Sequence, residues 1–111
     1  MIRIRVKRHP LGGYDLLEFS GHAHYAEYGK DIICAAVSAL AETAVLGLEH
    51  LADIKPIVKK REGYLLLKLP DNIQVEALTK AAIILDTVFL GLKDISKSYP
   101  SYVKIEPIEE V

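Results

Sequence analysis

One cysteine and one histidine near the start of a long apolar stretch are the residues of this chain best suited to chemistry. Cys34 is the single cysteine among the 111 residues, and His22 precedes it in the segment SGHAHYAEYGKDIICAAVSAL. A thiolate is a nucleophile, and a neighbouring imidazole is a base that can remove the thiol proton. The spacing therefore allows a cysteine–histidine pair, provided that the intervening loop returns His22 to Cys34.

The position of Cys34 favours an ionised thiol. Asp31 is a good N-cap residue, and the apolar run that follows it begins at once with Ile32. Cys34 then falls in the first helical turn, where free backbone N–H groups and the helix dipole stabilise negative charge. We expect the pKa of this thiol to lie below that of a free cysteine. The alternative is a structural cysteine, because cysteine is also among the most often buried residues.

Two polar neighbours of Cys34 are further candidate site residues. Asp31, Cys34 and Ser38 are spaced i, i+3 and i+7, which places them on one face of the predicted helix. Ser38 can line a site or simply bond back to the Cys34 carbonyl. Asp31 can orient His22 or cap the helix, and we favour the cap with a contribution to loop geometry.

The loop that follows His22 is expected to be mobile before a ligand binds, because its residues are small or polar and have little to bury. Gly21 stands before His22 at a strand end, where backbone can approach closely. Tyr25 and Tyr28 can close over an aromatic ligand group, or they are ordinary surface tyrosines. His24 is one strand-flip from His22 and is expected to face solvent.

A metal site is the weaker interpretation of this segment. The conceivable ligands are His22, His24, Asp31 and Cys34. They offer one thiolate and show neither the C-x-x-C nor the H-x-x-x-H spacing of common metal sites. We therefore predict no metal and no other cofactor.

Composition indicates one globular domain over residues 1–111, half of whose residues are hydrophobic. The net charge of −1 makes direct nucleic-acid binding improbable as a dedicated role. Two basic clusters, at residues 3–8 and 59–61, are either solvated faces or a docking surface for a charged partner. The N-terminal segment lacks the apolar core of a signal peptide, and acidic residues interrupt both long apolar stretches, so we expect no membrane span. We expect a cytoplasmic protein whose thiol stays reduced.

The elements that must position the candidate residues follow from the hydrophobic pattern. Apolar alternation and apolar runs predict strands near residues 2–7, 14–20, 55–60, 64–69 and 102–106, and helices near 32–51 and 73–97. Pro70, Asp71 and Asn72 are expected to break the chain and cap the second helix. The order β-β-α-β-β-α-β predicts an α+β two-layer sandwich, with two long helices packed on a mainly antiparallel sheet.

The second helix has two apolar stripes. They consist of Val75, Leu78, Ala82, Leu85, Phe89 and Leu92, and of Ala81, Ile84, Val88 and Ile95. One sheet face needs a single stripe, so the second is buried either against the first helix or against another subunit. We favour a homodimer.

The stretch from Gly21 to Ser38 resembles the ribosomal-processing cysteine protease family of bacteria, called Prp. SGHA, a short aromatic loop and DIICAAVSAL are the specific part of the likeness, and the length and element order extend it to the whole chain. The resemblance implies that Cys34 is the nucleophile and His22 the general base. It also implies that Gly21, Asp31 and Ser38 belong to the site, that the loop is flexible, and that the protein is a homodimer.

The resemblance further implies a ribosomal protein precursor as the peptide substrate. In some bacteria the large-subunit ribosomal protein number twenty-seven is made with a short N-terminal extension, and cleavage after an aromatic-rich motif removes it. In that reaction His22 would pass the thiol proton to the leaving amine, and the Cys34 N–H would help to form an oxyanion hole. Two alternatives stay open: a non-enzymatic dimeric ribosome-associated binding module, and a redox-sensing thiol protein.

Overall fold

A two-layer arrangement of helices on a sheet is present in a computed structural model of the chain, which describes residues 1–27 and 30–108. The elements follow the predicted order, and their bounds are β1 (Ile2–Arg8), β2 (Tyr14–Ser20), α1 (Ile32–Leu51), β3 (Ile57–Arg61), β4 (Tyr64–Lys68), α2 (Val75–Ser98) and β5 (Val103–Pro107). Both helices contribute to one buried core with one face of the sheet, so the α+β prediction is confirmed.

The sheet has five strands in the order β3-β4-β2-β1-β5. Every neighbouring pair is antiparallel except β1 and β5, which run parallel, so the sheet is mixed and mainly antiparallel as predicted. In β1 the alternation is as expected, with Ile2, Ile4 and Val6 buried and Arg3 and Arg5 exposed. Since the helices cover one face, the charged side chains of β1 lie on the open face of the sheet.

Helix α1 begins and ends at the predicted residues. Its buried stripe consists of Ile33, Val37, Ala41, Ala44 and Leu48. The helix is long and apolar enough to cross a membrane by length and hydropathy alone, despite Glu42 and Glu49. Core helices satisfy the same criterion, and this stripe packs into the core, so the expectation of no membrane span stays a prediction.

Helix α2 begins at Val75, two residues later than predicted, and its N-cap is Gln74 without a side-chain hydrogen bond. The expectation that the segment from Pro70 to Asn72 caps the helix is wrong. Asn72 instead adopts a left-handed conformation with φ 63°, which turns the chain before the helix starts. Asn72 lies two residues before the N-cap position, so its side chain does not cap α2.

The two apolar stripes of α2 are used within the chain. All of their residues except Val75, which is 72% exposed, are buried or half-buried. Helix α1 packs closely against α2 at Gly47. A Cβ added to Gly47 would lie only 3.0 Å from the Cγ2 atom of Ile84. These stripes therefore leave no surplus for a second subunit, and the argument for a homodimer based on them is wrong.

Candidate active site

A cavity of about 670 Å³ lies between helix α1, the end of β2 and the β3–β4 hairpin. Helix α1 contributes Cys34, Ser38 and Glu42 to its wall, and the hairpin contributes residues 60–65. Gly21, which ends β2, also borders the cavity. The fold thus gathers three segments that are distant in sequence around the single thiol.

Cys34 is half-buried at the start of α1, and its Sγ accepts a hydrogen bond from the Ala23 N–H at 3.3 Å. Burial raises the pKa of the Cys34 thiol, the Ala23 N–H lowers it, and the Asp31 carboxylate raises it again. The net shift is upward, so the predicted low pKa is wrong for this conformation. At neutral pH the resting sulfur is a protonated thiol.

Asp31 explains why the helix start does not ionise the thiol. Its Oδ1 accepts hydrogen bonds from the N–H groups of Ile33 and Cys34, each at 3.0 Å, and its Oδ2 accepts one from Tyr25 N–H at 3.0 Å. The predicted N-cap with a contribution to the loop is therefore confirmed. Desolvation acts to raise the pKa of Asp31, but hydrogen bonds from the backbone N–H groups of Cys34, Tyr25 and Ala26 outweigh it and lower the pKa.

The cap has two consequences for chemistry at the sulfur. The positive end of the helix is neutralised by the Asp31 carboxylate, which places a negative charge beside the Cys34 thiol. The Cys34 N–H, expected to help form an oxyanion hole, already donates to Asp31. In this conformation the available N–H that is aimed at the sulfur is that of Ala23.

His22 is held at the end of β2 by backbone contacts. Gly21 has φ 91°, and its N–H donates to the Gly63 carbonyl at 2.9 Å. The Met1 ammonium donates to the His22 carbonyl at 2.6 Å. The His22 ring lies over Gly63, since a Cβ at that position would be only 2.9 Å from Nε2. The β3–β4 turn therefore seats the imidazole, a role that the sequence alone did not indicate for Gly63.

His22 and Cys34 line the same cavity, but no hydrogen bond joins them in the part of the chain that the structure describes. Catalytic hydrogen bonds are often long or absent before substrate binds, so this geometry does not exclude a dyad. The neighbouring Ala23 already touches the sulfur. In this conformation the thiol is hydrogen-bonded to the Ala23 N–H, and the imidazole borders the same cavity.

A second imidazole, that of His24, also borders the cavity. Its side chain is exposed, its φ is 57°, and its ring centroid lies 6.0 Å from that of His22. The expectation that His24 simply faces solvent is therefore incomplete. Both His22 and His24 border the cavity that contains the thiol.

The other predicted site residues fall in different places. Ser38 lines the cavity, and among the described residues its hydroxyl makes no hydrogen bond to the Cys34 carbonyl. The Tyr25 ring lies edge-on against Tyr102 and Tyr99, with centroids 5.2 and 6.0 Å away, and does not line the cavity. Tyr28 lies outside the described residues, so its role stays a prediction.

The β3–β4 hairpin supplies site residues that sequence reasoning missed. Lys60 forms an ion pair with Glu42 across the cavity wall. The Arg61 guanidinium lies 3.9 Å from the centroid of the Tyr64 ring. The REG turn at residues 61–63 signalled a hairpin, but no pattern in the chain indicated that this hairpin would face α1.

A metal site finds no support in the geometry. Within residues 1–27 and 30–108, no group of three or more histidine, cysteine, aspartate or glutamate side chains is placed to hold an ion. Asp31 is engaged with backbone N–H groups and the Cys34 sulfur with Ala23. The absence of a cofactor stays a prediction.

The family model described as cysteine protease Prp matches residues 1–104. The chain belongs to this family. It is a cysteine-type protease, and Cys34 is the single cysteine in its sequence. The resemblance seen in the stretch from Gly21 to Ser38 is thereby confirmed at the level of the family.

Relatives with this activity cover nearly the whole chain. The ribosomal processing cysteine protease Prp of Bacillus subtilis (strain 168) is 30% identical over 107 residues, which are 95% of this chain and 96% of that protein. The protein of the same name from Mycoplasma genitalium is 30% identical over 105 residues, 95% of this chain and 94% of that protein. The relatives are thus ribosomal processing cysteine proteases.

Solved structures agree with the fold. A crystal structure of the essential ribosomal processing protease Prp from S. aureus, with a covalently linked product peptide, is similar with a TM-score of 0.85 and 25% identity. The similarity covers 97% of this chain and 100% of that one. A crystal structure from Streptococcus mutans has a TM-score of 0.84 at 31% identity, covering 99% and 96%. The Prp fold therefore extends over nearly the whole chain.

Proposed function

We propose that this chain is an endopeptidase that removes the N-terminal extension from the precursor of large-subunit ribosomal protein number twenty-seven, with Cys34 as nucleophile and His22 as general base. The proposal is supported chiefly by the single thiol, which lies in a cavity bordered by His22. A cysteine protease needs a thiol nucleophile, and this sequence has one cysteine. The S. aureus relative holds a product peptide covalently, which fits an acyl-transfer mechanism.

The proposed reaction begins with a neutral thiol. A peptide entering the cavity displaces the loop so that His22 reaches Sγ and takes its proton, and the sulfur attacks the scissile carbonyl carbon. The imidazolium then gives the proton to the leaving amine, leaving an acyl group on sulfur. Water, deprotonated by His22, hydrolyses the thioester and restores Cys34. The Ala23 N–H, 3.3 Å from Sγ, is placed to stabilise negative charge near the sulfur.

The cavity lining suits an aromatic substrate side chain. Phe19, Val37 and Leu65 provide apolar surface, while Ala35 and Ala41 are small and leave room above it. A bulky apolar group transferred from water to such a surface is stabilised by roughly 1.5–3 kcal/mol. This agrees with cleavage after an aromatic-rich motif.

The setting proposed for this activity is the cytoplasm. Cys34 is a free thiol, and a thiol nucleophile keeps its activity where thiols stay reduced. Membership of a protease family decides against the non-enzymatic binding module. A redox-sensing thiol would differ from the proposed enzyme because it would be oxidised or alkylated without cleaving any peptide.

Incubation with the extended precursor tests the proposal. We expect wild type to release the extension, Cys34→Ala to release none, and His22→Ala to be slower by about 10²–10⁴-fold. His24→Ala is the matched control, because this second imidazole borders the same cavity but is expected to keep most activity. Mass spectrometry of the products locates the cleaved bond. Full activity in Cys34→Ala would refute the mechanism, and loss confined to His24→Ala would transfer the base to that residue.

A further inference from the structure

The open face of the sheet, which lies opposite the helices, concentrates positive charge. Strand pairing brings side chains of all five strands to this face in rows, for example Arg3 beside Lys104 and Lys59 beside Leu66. Its strand cations are Arg3, Arg5, Lys7, Lys59, Arg61, Lys68 and Lys104. Among the described strand residues, the carboxylates on this face are Glu18 and Glu106.

This charge is segregated from the rest of the molecule. The chain has 14 Lys and Arg against 15 Asp and Glu. Setting aside the seven cations and two carboxylates of the open face leaves seven cations against thirteen carboxylates in the sequence, of which Glu109 and Glu110 lie outside the described residues. The net charge of −1 therefore conceals a basic face on an acidic body, and it is a poor guide to what this face attracts.

Most of these cations are exposed, whereas Lys68 is one-third exposed and lies 3.9 Å from Asp71. Arg3 pairs with Glu106 at 3.4 Å and Arg5 with Glu18 at 3.2 Å, but both arginines are about half exposed. Exposed ion pairs of this kind contribute little and exchange easily for another anion. Lys59 and Lys104 are exposed and form no ion pair with any residue in the described ranges.

We infer that this face binds the phosphate backbone of double-helical RNA. Its cations span five strands, a width of about 19 Å at the usual strand spacing, which suits an extended array of phosphates better than a single anion. Among the described strand residues of this face the one aromatic ring is that of Tyr64, and Arg61 covers it at 3.9 Å, so these residues offer no free stacking platform. Splayed single-stranded bases need such a platform, whereas a duplex is bound through its backbone.

Other occupants fit this face less well. A second copy of the same face would place like charges against one another. We choose RNA among the possible polyanions because the relatives are ribosomal processing proteases. An enzyme that acts on ribosomal proteins works close to ribosomal RNA. Of the cations of the basic face only Arg61 also borders the cavity, and it is left unchanged in the test, so RNA binding by this face can be measured independently of the proposed protease mechanism.

Fluorescence anisotropy with a labelled RNA hairpin tests the inference. We expect wild type to bind the duplex with a dissociation constant of roughly 10⁻⁶–10⁻⁴ M at physiological salt, and the logarithm of the affinity to fall with the logarithm of salt with a slope of about −3 to −4. The double variant Lys59→Gln/Lys104→Gln should weaken binding about tenfold and reduce the magnitude of the slope by about two.

The matched control is Lys80→Gln/Lys97→Gln, which removes two exposed cations from α2 and should leave the affinity unchanged. Peptide cleavage should be the same in all these variants, so the RNA result and the protease result are read separately. Absence of salt-dependent duplex binding, equal weakening in the control, or binding of phosphatidylserine vesicles in place of RNA would overturn the inference.

Discussion

At the scale of single residues, burial and, to a smaller extent, the Asp31 carboxylate raise the pKa of the Cys34 thiol. This carboxylate accepts the backbone N–H groups that would otherwise stabilise a thiolate, and its charge adds to burial in raising the pKa of the Cys34 thiol. Both effects favour the protonated thiol in this conformation. We infer that ionisation is coupled to the arrival of substrate and to movement of His22.

Substitution of Asp31 should make the thiol more reactive. Because the pKa of Cys34 is raised, its alkylation by iodoacetamide should increase with pH through a midpoint above that of a free cysteine. Asp31→Asn removes the negative charge but retains an oxygen that can cap the helix, so the midpoint should move to lower pH. Glu27→Gln, which removes a carboxylate from the same loop, should leave the midpoint in place. An unchanged or higher midpoint in Asp31→Asn would contradict this account.

At the scale of elements, the end of β2 fixes the site. Gly21 turns the chain out of the strand with φ 91°, and its N–H bonds to Gly63 in the β3–β4 turn. This contact ties the segment containing His22 to the hairpin that seats its ring. The strand end and the β3–β4 turn therefore position His22 through backbone contacts.

A side chain at Gly21 should destabilise the fold. A Cβ there would overlap the Met1 carbonyl oxygen, in addition to the cost of a positive φ. Gly12, with φ 108° and no atom within 4 Å of an added Cβ, is the matched control because it has the conformational cost alone. We expect urea denaturation to show that Gly21→Ala is less stable than Gly12→Ala by about 1–3 kcal/mol. Equal losses would show that the close approach is unimportant.

At the scale of the whole molecule, the helical layer exposes large apolar side chains to its outer side. Leu46, Ile83 and Leu90 are 53%, 65% and 67% exposed, while the stripes predicted to form an interface are used inside the chain. An exposed apolar surface of this kind is typical of a subunit contact. We therefore keep the homodimer as a proposal, and place its interface on these residues.

A charge on this surface tests the homodimer. We expect sedimentation velocity to show a dimer for wild type and a monomer for Leu90→Glu, because an unpaired carboxylate is costly to bury. Leu11→Glu is the control, since Leu11 is 76% exposed in the β1–β2 turn and should leave the dimer intact. A monomeric wild type would refute the proposal, and dissociation in both variants would place the contact elsewhere.

The sequence by itself determined the elements and the residue types of the site. The period of the apolar residues in Ile32–Leu51 and Ile2–Arg8 depends on local geometry, so the first helix and the first strand were predictable. The N-cap role of Asp31 is equally local, because the side chain bonds to N–H groups two and three residues ahead.

Only the tertiary structure decided how those residues interact. The raised pKa of Cys34 depends on its burial, the position of His22 depends on Gly63, and the basic face depends on which strands are neighbours. Each of these is a contact between segments far apart in the chain. Packing sets the distances between these segments and the extent of their burial. The order of residues along the chain does not predict either quantity.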